Sequence, residues 1–501
     1  MTVWYLSRSI CIKSGSFNMM ERPDILIKVL MSMLLSTRGQ LGYDPLITLT
    51  ADQSYVYELP PDGENRREAL FCQTKELISE YHCLSNTGRS TRIWRVQQVS
   101  SPTDLTSIPG MEDRVLKHVS VDANKRNEGD VQESLFRDIE AFGRQPDWRE
   151  DDILKEMPAD DLEILEKALK GDNFKRLFCC IVVKYARGEL ELSPLPLPLS
   201  ANEVASELEV SPKTRCFFVY EGVYMPLEDI PTLGEAMDII RQSLRLMWCA
   251  GWVHRDVSIG NILASRPSTG TPWEVKLADL EHARKFPDPN ILSDDCPIGT
   301  PHFMAVEVQK GCHFFPGIEE RPKERKTWFP KRPVIQNYQH DLESIWWTIL
   351  WLITARTRVP VSRVFADRYF RDRDSPAYQI FRSHFLSGDM PELAIGRGFP
   401  TSLPPKLYQD PSFLTNLDDL KTNLHAEYAS RNRVGKQDDR RSYAWIVGKG
   451  ASDFFRDIEG SREDWSDIEL EVSRDSHPQG SQTVEESSSS SYGSSAAEAT
   501  N

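Results

Sequence analysis

The sequence predicts an α+β fold with two unequal lobes, strand-rich over residues 41–222 and helical over residues 223–450. Short β-like runs broken by turn residues dominate before residue 222, and apolar residues at helical spacing dominate after it. A further boundary lies near residue 450, where the composition becomes acidic and rich in serine. With 40% hydrophobic and 27% charged residues, the 501-residue chain has the composition of a globular protein.

Residues 1–40 are predicted to form an N-terminal extension that is helical in part. The apolar run Ile25–Leu35 is interrupted by Lys28 and is too short to span a bilayer, so it predicts an amphipathic helix. Asp24 stands directly before this run and is expected to cap the helix. We therefore expect no membrane partner.

The region 41–222 is predicted to supply the strands of the first lobe. A charged helical pattern over residues 151–170 interrupts the β-like runs as an insertion. The run Cys216–Val223 is compact and apolar, which is typical of a buried strand. The predicted strands lie in residues 46–59, with Asp52 in an interior turn, and in Arg92–Val99, Phe178–Ala186 and Cys216–Val223.

The region 223–450 is predicted to be helical. One face of a long helix is expected to carry Leu233, Met237, Ile240, Leu244 and Met247. A second helix, over 342–353 with three tryptophans, is the most hydrophobic part of the chain and must be deeply buried.

The end of the chain, residues 451–501, is predicted to be a disordered acidic tail. From Ser452 to Asn501 there are 12 acidic and 3 basic residues, and a five-serine run spans Ser487–Ser491. Such a composition cannot bury enough apolar surface to offset the entropy lost on ordering.

Charge and cysteine usage limit the partners and the location. A net charge of −15 argues against broad nucleic-acid binding, which usually leaves a basic footprint. The nine cysteines form no CxxC pair, so neither a zinc site nor a disulfide framework is predicted. Scattered cysteines are typical of a reducing compartment, and we expect an intracellular protein, cytoplasmic or nuclear.

The segment GWVHRDVSIGNILA, residues 251–264, carries the clearest chemistry. It reads His-Arg-Asp, four residues, then Asn261, and an apolar strand ending in Asp279 follows 18 residues later. Phosphoryl transfer needs a carboxylate that orients the attacking hydroxyl and accepts its proton, and oxygen ligands that hold magnesium against the phosphates. Asp256 fits the first role, and Asn261 and Asp279 fit the second.

These motifs resemble those of eukaryotic protein kinases, and in detail those of the fungal-type protein kinase family. The resemblance covers roughly residues 41–450 and rests on HRDVSIGN, ADLEHA, GTPHFMAVEV (299–308) and HDLESIWWTILW (340–351). It implies a bilobal kinase fold that uses ATP and magnesium and phosphorylates Ser or Thr of a protein substrate. In this sequence Ser258 stands where most such kinases carry lysine, and Leu280 and Glu281 replace the usual Phe-Gly.

The resemblance also implies a nucleotide site in the first lobe. Lys117, in DRVLKHV, corresponds to the lysine that contacts the α- and β-phosphates. Its acidic partner is expected to be Glu128, with Glu133 as the alternative, because either could hold it by a charge-assisted hydrogen bond. Gly88 matches the glycine-rich loop, but Ser90 adds a Cβ where glycine would let the backbone approach phosphate.

Other residues are expected to have structural or regulatory roles. Glu307 should anchor the end of the activation segment, and Asp341 should bond the backbone around His254 and Arg255, because a buried carboxylate must be satisfied. Thr300 and Ser293 are candidate phosphorylation sites that Arg255 could recognise. The basic segment Arg321–Pro333 is either a solvated loop or a docking surface for acidic substrate or for the acidic tail.

Three functions remain open from the sequence. The first is an active Ser/Thr protein kinase, supported by Lys117, Asp256, Asn261 and Asp279 together. The second is a pseudokinase scaffold, favoured by the incomplete glycine loop. The third is a small-molecule phosphotransferase, which shares an Asp–Asn–Asp core; the segment GTPHFMAVEV (299–308), with Glu307 near its end, favours a protein substrate instead.

Overall fold

The computed structural model of the chain describes residues 1–6, 11–61, 66–82, 90–188, 213–266, 268, 270–288, 298–314, 334–370, 382, 403–404, 406–407 and 412–471. Gly88, Ser293, the basic segment Arg321–Pro333 and the tail beyond residue 471 therefore lie outside the described residues. The described chain has a mixed α/β architecture, with antiparallel sheets and helices.

The N-terminal extension contains a small hairpin and one helix. Strands β1 (Trp4–Leu6) and β2 (Cys11–Lys13) pair antiparallel, and helix α1 (Pro23–Leu35) follows. The predicted helix is confirmed, but Asp24 does not cap it. Pro23 occupies the first turn, where its missing N–H costs nothing, and Asp24 lies inside the helix and pairs with Arg22. Among the described residues, we find no helix with both the length and the apolar character needed to cross a bilayer.

Seven antiparallel strands form the largest sheet. They are β3 (Ile47–Leu49), β4 (Tyr55–Leu59), β5 (Leu70–His82), β6 (Ser90–Val99), β7 (Arg114–Asp122), β8 (Ile181–Gly188) and β9 (Lys213–Tyr220). Their order across the sheet is β3-β4-β5-β6-β7-β9-β8. Strand β7 lies between β6 and β9, where Lys117 is opposite Ile93 on one side and Phe218 on the other. A lysine on an inner strand is thereby held in a fixed position.

Helix α2 (Glu128–Gly143) packs against the helical core. The side chain of Asn127 accepts a hydrogen bond from the backbone N–H of Asp130 and caps the helix. Its buried apolar residues recur at helical spacing, and they belong to one hydrophobic core shared with the second half of the chain. Glu128, in the first turn, is buried. The buried apolar residues of α2 are Val131, Leu135, Ile139 and Phe142.

Residues 144–177, called the connecting segment, join α2 to β8. This segment contains helix α3 (Ala159–Leu169) and three short 3₁₀ turns, at Trp148–Glu150, Asp152–Leu154 and Asn173–Leu177. The charged helical pattern predicted over 151–170 is thus two elements. The first is one of the 3₁₀ turns and the second is α3.

The second half begins with two helices where one was predicted. Helix α4 (Leu233–Gln242) ends at Ser243, and Leu244 has a positive φ of 66° before helix α5 (Arg245–Cys249). The prediction of one long helix was therefore wrong, because the helix is interrupted at Leu244. Leu244 and Met247 are buried nonetheless, because the hydrophobic period reports which side chains face the core and not whether the backbone is unbroken.

Short strands beside these helices shape the turns that follow. Strands β10 (Met225–Pro226), β12 (Ile262–Ser265) and β13 (Glu274–Leu277) form one sheet. Strand β11 (Trp252–Val253) pairs with β14 (Arg284–Lys285). The loops between these strands carry Asp256, Asn261 and Asp279.

The other helices of the described residues lie in the second half of the chain and contribute to its hydrophobic core. They are α6 (Val306–Lys310), α7 (Tyr338–Ala355), α8 (Pro360–Phe370), α9 (Ser412–Arg433), α10 (Ala451–Glu459) and α11 (Arg462–Trp465). Asn337 and His340 form a capping box at the start of α7. As predicted, α7 is deeply buried, and Trp346 and Trp347 are fully inside. Trp351 is only partly buried.

The predicted boundary at residue 450 places the end of the folded region too early. Helices α10 and α11 lie in the segment that was expected to be disordered, and they bury Phe454, Phe455, Ile458 and Trp465 in the main core. The acidic residues occupy the outer face of α10, so the average composition concealed an amphipathic helix. Backbone bonds from Leu233 to Ile468 and from Gly234 to Ser466 attach this segment to the start of α4.

Candidate active site

A tight hairpin brings Asn261 and Asp279 together. Strands β12 and β13 pair with Ile262 opposite Leu277, so the residue before β12 lies beside the residues after β13. The backbone N–H of Ala278 donates to the Asn261 carbonyl at 3.0 Å. Asp279 follows in a left-handed conformation, φ 57° and ψ 55°, at the start of the 3₁₀ turn Leu280–His282. Such a conformation is unfavourable for a residue with a Cβ and is common at functional sites.

Asp256 lies in the same loop and is bonded to both Asn261 and Thr300. The Asn261 side-chain amide donates from Nδ2 to the Asp256 carbonyl at 2.8 Å. The backbone N–H and the hydroxyl of Thr300 both donate to Oδ1 of Asp256, each at 2.7 Å. Asp256 is partly exposed, so its second carboxylate oxygen is the atom that an incoming hydroxyl group could meet.

Gly299 allows Thr300 to reach Asp256. Its φ of 134° is strained for any residue with a side chain, and a Cβ at this position would lie 3.0 Å from the Arg255 carbonyl. Glycine is therefore required at this position of the motif for a steric reason. Any larger residue would push the chain away from the Asp256 loop.

Lys117 lies among three carboxylates. Its Nζ is 2.7 Å from Oε2 of Glu128, 2.6 Å from Oδ1 of Asp279 and 3.5 Å from Oε2 of Glu281. Burial raises the pKa of Glu128; Lys117 opposes this shift, while Asp279 and Glu281 reinforce it. The ion pair links the sheet, α2 and the hairpin that carries Asp279. Glu133, the alternative partner, pairs instead with Lys184.

Asp341, from helix α7, fixes the backbone on which Asp256 is mounted. Its carboxylate accepts from the N–H of His254 at 2.7 Å and from the N–H of Arg255 at 2.9 Å, as the sequence predicted. Burial raises the pKa of Asp341, against the lowering effect of His254 and these backbone donors. The His254 ring in turn contacts the Ala278 carbonyl at 3.0 Å. One buried network therefore connects α7, the Asp256 loop and the Asp279 turn.

A comparison with models of known protein families gives a match that covers both parts of the site. A model of the fungal protein kinase family matches residues 1–141 and 226–353, just over half of the chain. The chain belongs to the fungal protein kinase family. A search of curated proteins finds no match. Membership of this family supports phosphotransferase activity. Both matched ranges contribute to the site. The first contains Lys117 and Glu128, and the second contains Asp256, Asn261 and Asp279.

In this member of the family, Glu307 is a buried anchor of helix α6. It accepts from the N–H of Phe314 at 2.7 Å and from Asn432 at 3.1 Å, and it contacts His313 and His340. Burial alone would raise the pKa of Glu307, but the two histidines outweigh it and lower the pKa to about 2. These contacts tie the segment after Thr300 to helices α7 and α9.

Several residues of the kinase site were not found from sequence alone. The sequence predicts Thr300 only as a phosphorylation site, whereas its hydroxyl donates a hydrogen bond to Asp256. Arg255, the proposed phosphate ligand, bonds Gln336 at 2.7 Å. The sequence shows Glu281 only as a replacement for glycine and does not indicate its contact with Lys117. A carboxylate two residues after Asp279 was the available signal, but sequence cannot give its direction.

The donor set of the kinase site is of the kind that could hold magnesium. Magnesium prefers oxygen ligands, and Asp279 offers a carboxylate. The bond from Asn261 Nδ2 to Asp256 consumes the donor side of that amide and leaves its Oδ1 as a possible ligand. Glu128, Asp279 and Glu281 also offer oxygens within 4.8 Å of one another, although Lys117 balances part of that charge.

Proposed function

We propose that this chain is a protein kinase that transfers the γ-phosphate of ATP, with magnesium, to Ser or Thr hydroxyls of a protein substrate. The observation that carries the proposal is the convergence of Lys117, Glu128, Asp256, Asn261 and Asp279 from four separate elements. We also propose that the chain has two lobes, with the sheet above the helical core.

Asp256 is the residue proposed to act on the substrate hydroxyl. Thr300 holds Oδ1 by two short bonds, so the carboxylate has a fixed orientation. Its other oxygen accepts the proton from the attacking Ser or Thr hydroxyl as the phosphate is transferred. Asp341 and His254 keep the loop in place while this occurs.

Asn261 and Asp279 are the proposed magnesium ligands, and Lys117 is the proposed phosphate contact. Magnesium bound there would neutralise charge that develops on the phosphates. Lys117 has three donors, and Glu128 holds it from the side of α2. Its contact with Asp279 couples the lysine to the metal side of the site.

A protein substrate is supported by the segment from Gly299 to helix α6. This segment runs from the Thr300–Asp256 contact to the buried Glu307, so it is firmly attached at both ends. A fixed strip of chain beside the reacting carboxylate is suited to aligning an extended peptide. The presence of this segment also argues against a small-molecule phosphotransferase.

The test is nucleotide binding followed by phosphate transfer. Binding of an ATP analogue is measured by calorimetry with and without magnesium, for the natural chain, Lys117→Met and Asp279→Asn, with Glu163→Gln as an exposed control. We expect magnesium-dependent binding that Lys117→Met weakens and that loses its magnesium dependence in Asp279→Asn. A folded protein without nucleotide binding would instead support a scaffold.

A further inference from the structure

The connecting segment, residues 144–177, lies outside both ranges that match the family, yet it packs on the helix that carries Glu128. Phe136 of α2 contacts Phe174, with ring centroids 5.4 Å apart, and Phe142 contacts Trp148 at 6.1 Å. A Cβ added to Gly143 at the end of α2 would lie 3.2 Å from the Leu169 side chain. The segment thus covers α2 from its middle to its end.

The same segment is joined to the C-terminal helices by buried polar contacts. Asp161 of α3 pairs with Arg245 of α5 and accepts a hydrogen bond from Ser452 of α10. Arg245 also donates to Ser452 at 3.0 Å. Asp161 and Ser452 are about 5% exposed or less. A buried ion pair with an added hydrogen bond holds its partners in one arrangement, because separation would leave charges unpaired.

Further contacts make this attachment broad. Arg440 contacts Asp151 at 3.3 Å, and Arg441 contacts Asp152 at 2.6 Å. The backbone of Gly448 lies directly on the connecting segment, where a Cβ would come within 2.9 Å of the Glu156 backbone. The segment is therefore fastened to residues 440–452 at three separate places.

We infer that the connecting segment is a brace that positions Glu128 against Lys117 by fastening α2 to the C-terminal helices. In protein kinases the pair between this lysine and the glutamate of the following helix must be in place for activity, and the position of that helix controls it. Here the position of α2 is set from within the chain. The role of Glu128 in nucleotide binding rests on the proposed function, but the attachment of α2 does not.

Hydrogen exchange without nucleotide tests the attachment. Asp161→Asn removes the buried charge that pairs with Arg245, and Glu163→Gln removes an exposed charge from the same helix as a control. We expect exchange in peptides of α2 to accelerate roughly tenfold or more in Asp161→Asn, with α7 unchanged. Gly448→Ala separates the same surfaces without removing a charge, and the same local effect is expected.

Unchanged exchange in α2 for both variants would overturn the inference. A uniform acceleration across the chain would overturn it too, because the segment would then stabilise the whole fold and not α2. Glu163→Gln is expected to behave as the natural chain does.

Nucleotide affinity separates positioning from general stabilisation. If the natural chain binds an ATP analogue, Asp161→Asn should weaken binding by roughly 3- to 10-fold. In a Glu128→Gln background the same substitution should have no further effect, because the brace acts through Glu128. An equal loss in both backgrounds would contradict the inference. Failure of the natural chain to bind any nucleotide would contradict only the proposed function, since the exchange result stands by itself.

Discussion

At the scale of single residues, the contact between Thr300 and Asp256 is the most specific feature of the site. A carboxylate that accepts two bonds on one oxygen cannot rotate freely, so its second oxygen has a defined direction. Replacement of Thr300 by alanine keeps the backbone bond and removes the hydroxyl bond. Side-chain and backbone contributions can therefore be separated.

Thr300→Ala is predicted to lower kcat roughly tenfold, because one charge-assisted hydrogen bond to Asp256 is lost. Nucleotide affinity should not change. Thr300→Ser keeps the hydroxyl and should retain most of the activity. Steady-state kinetics of the three proteins check this, and equal activity of the Ala and Ser variants would show that the hydroxyl has no role.

The lowered pKa of Glu307 predicts that the free energy of unfolding depends on pH in the acid range. Its pKa in the folded protein is about 2, below the ordinary value of 4.5, so its contribution to stability is present above pH 4.5 and lost as the pH falls toward 2. The shift corresponds to about 3 kcal/mol in the free energy of unfolding. The natural chain and Glu307→Gln should therefore differ most above pH 4.5.

Urea unfolding at pH 5 and pH 3 measures that difference. The gap between the two proteins should narrow by about 2 kcal/mol at the lower pH. A gap that is the same at both pH values would mean that the charge of Glu307 is not what stabilises helix α6.

At the scale of elements, α7 is part of the hydrophobic core and also supports the Asp256 loop. Asp341 leaves the first turn of a buried helix and bonds two consecutive backbone N–H groups of another segment. Replacement by asparagine presents an N–H₂ group to one of these donors, so one buried bond is lost and another group is left unsatisfied.

Asp341→Asn is predicted to lower the free energy of unfolding by about 3 kcal/mol and to reduce phosphate transfer as well. Asp419→Asn, an exposed substitution on α9, is the matched control and should change neither quantity. Chemical denaturation combined with a transfer assay checks both. Full stability in Asp341→Asn would contradict a stabilising role for the Asp341 hydrogen bonds.

Several strands of the large sheet, the buried helix α7 and the grouping of Asp256, Asn261 and Asp279 were predictable because each is marked by a pattern or motif that is local in the sequence. The break at Leu244 and the cap of α1 were not, because both depend on a single backbone angle or on which residue occupies the first turn. Glu281 and Thr300 were missed for a related reason. Their roles depend on contacts with residues far away in the sequence, and one sequence does not show those contacts.

At the scale of the whole molecule, the C-terminal helices belong to the fold. Helices α10 and α11 close the core beside α4 and hold the connecting segment through Ser452 and Gly448. The sequence-based boundary at residue 450 failed because the chain after that residue is, on average, rich in acidic residues and serine. A count of composition ignores that the apolar residues share one face.

Truncation after Glu471 is predicted to leave stability unchanged, whereas truncation after Gly450 should lower Tm by at least about 10 °C or prevent folding. The shorter chain loses the buried side chains of α10 and α11, including Trp465. Thermal unfolding of the two truncated chains checks this. Equal Tm values would show that these helices are not part of the core.

The most direct test of the central claim is the rate of γ-phosphate transfer from magnesium–ATP to a generic protein substrate, measured for the natural chain and for Asp256→Asn. Asp160→Asn, an exposed substitution, is the control. We predict a drop of about 10²- to 10⁴-fold in Asp256→Asn with unchanged nucleotide affinity, and no drop in the control. Transfer by Asp256→Asn at the natural rate would contradict the assignment of Asp256 as the residue that accepts the hydroxyl proton.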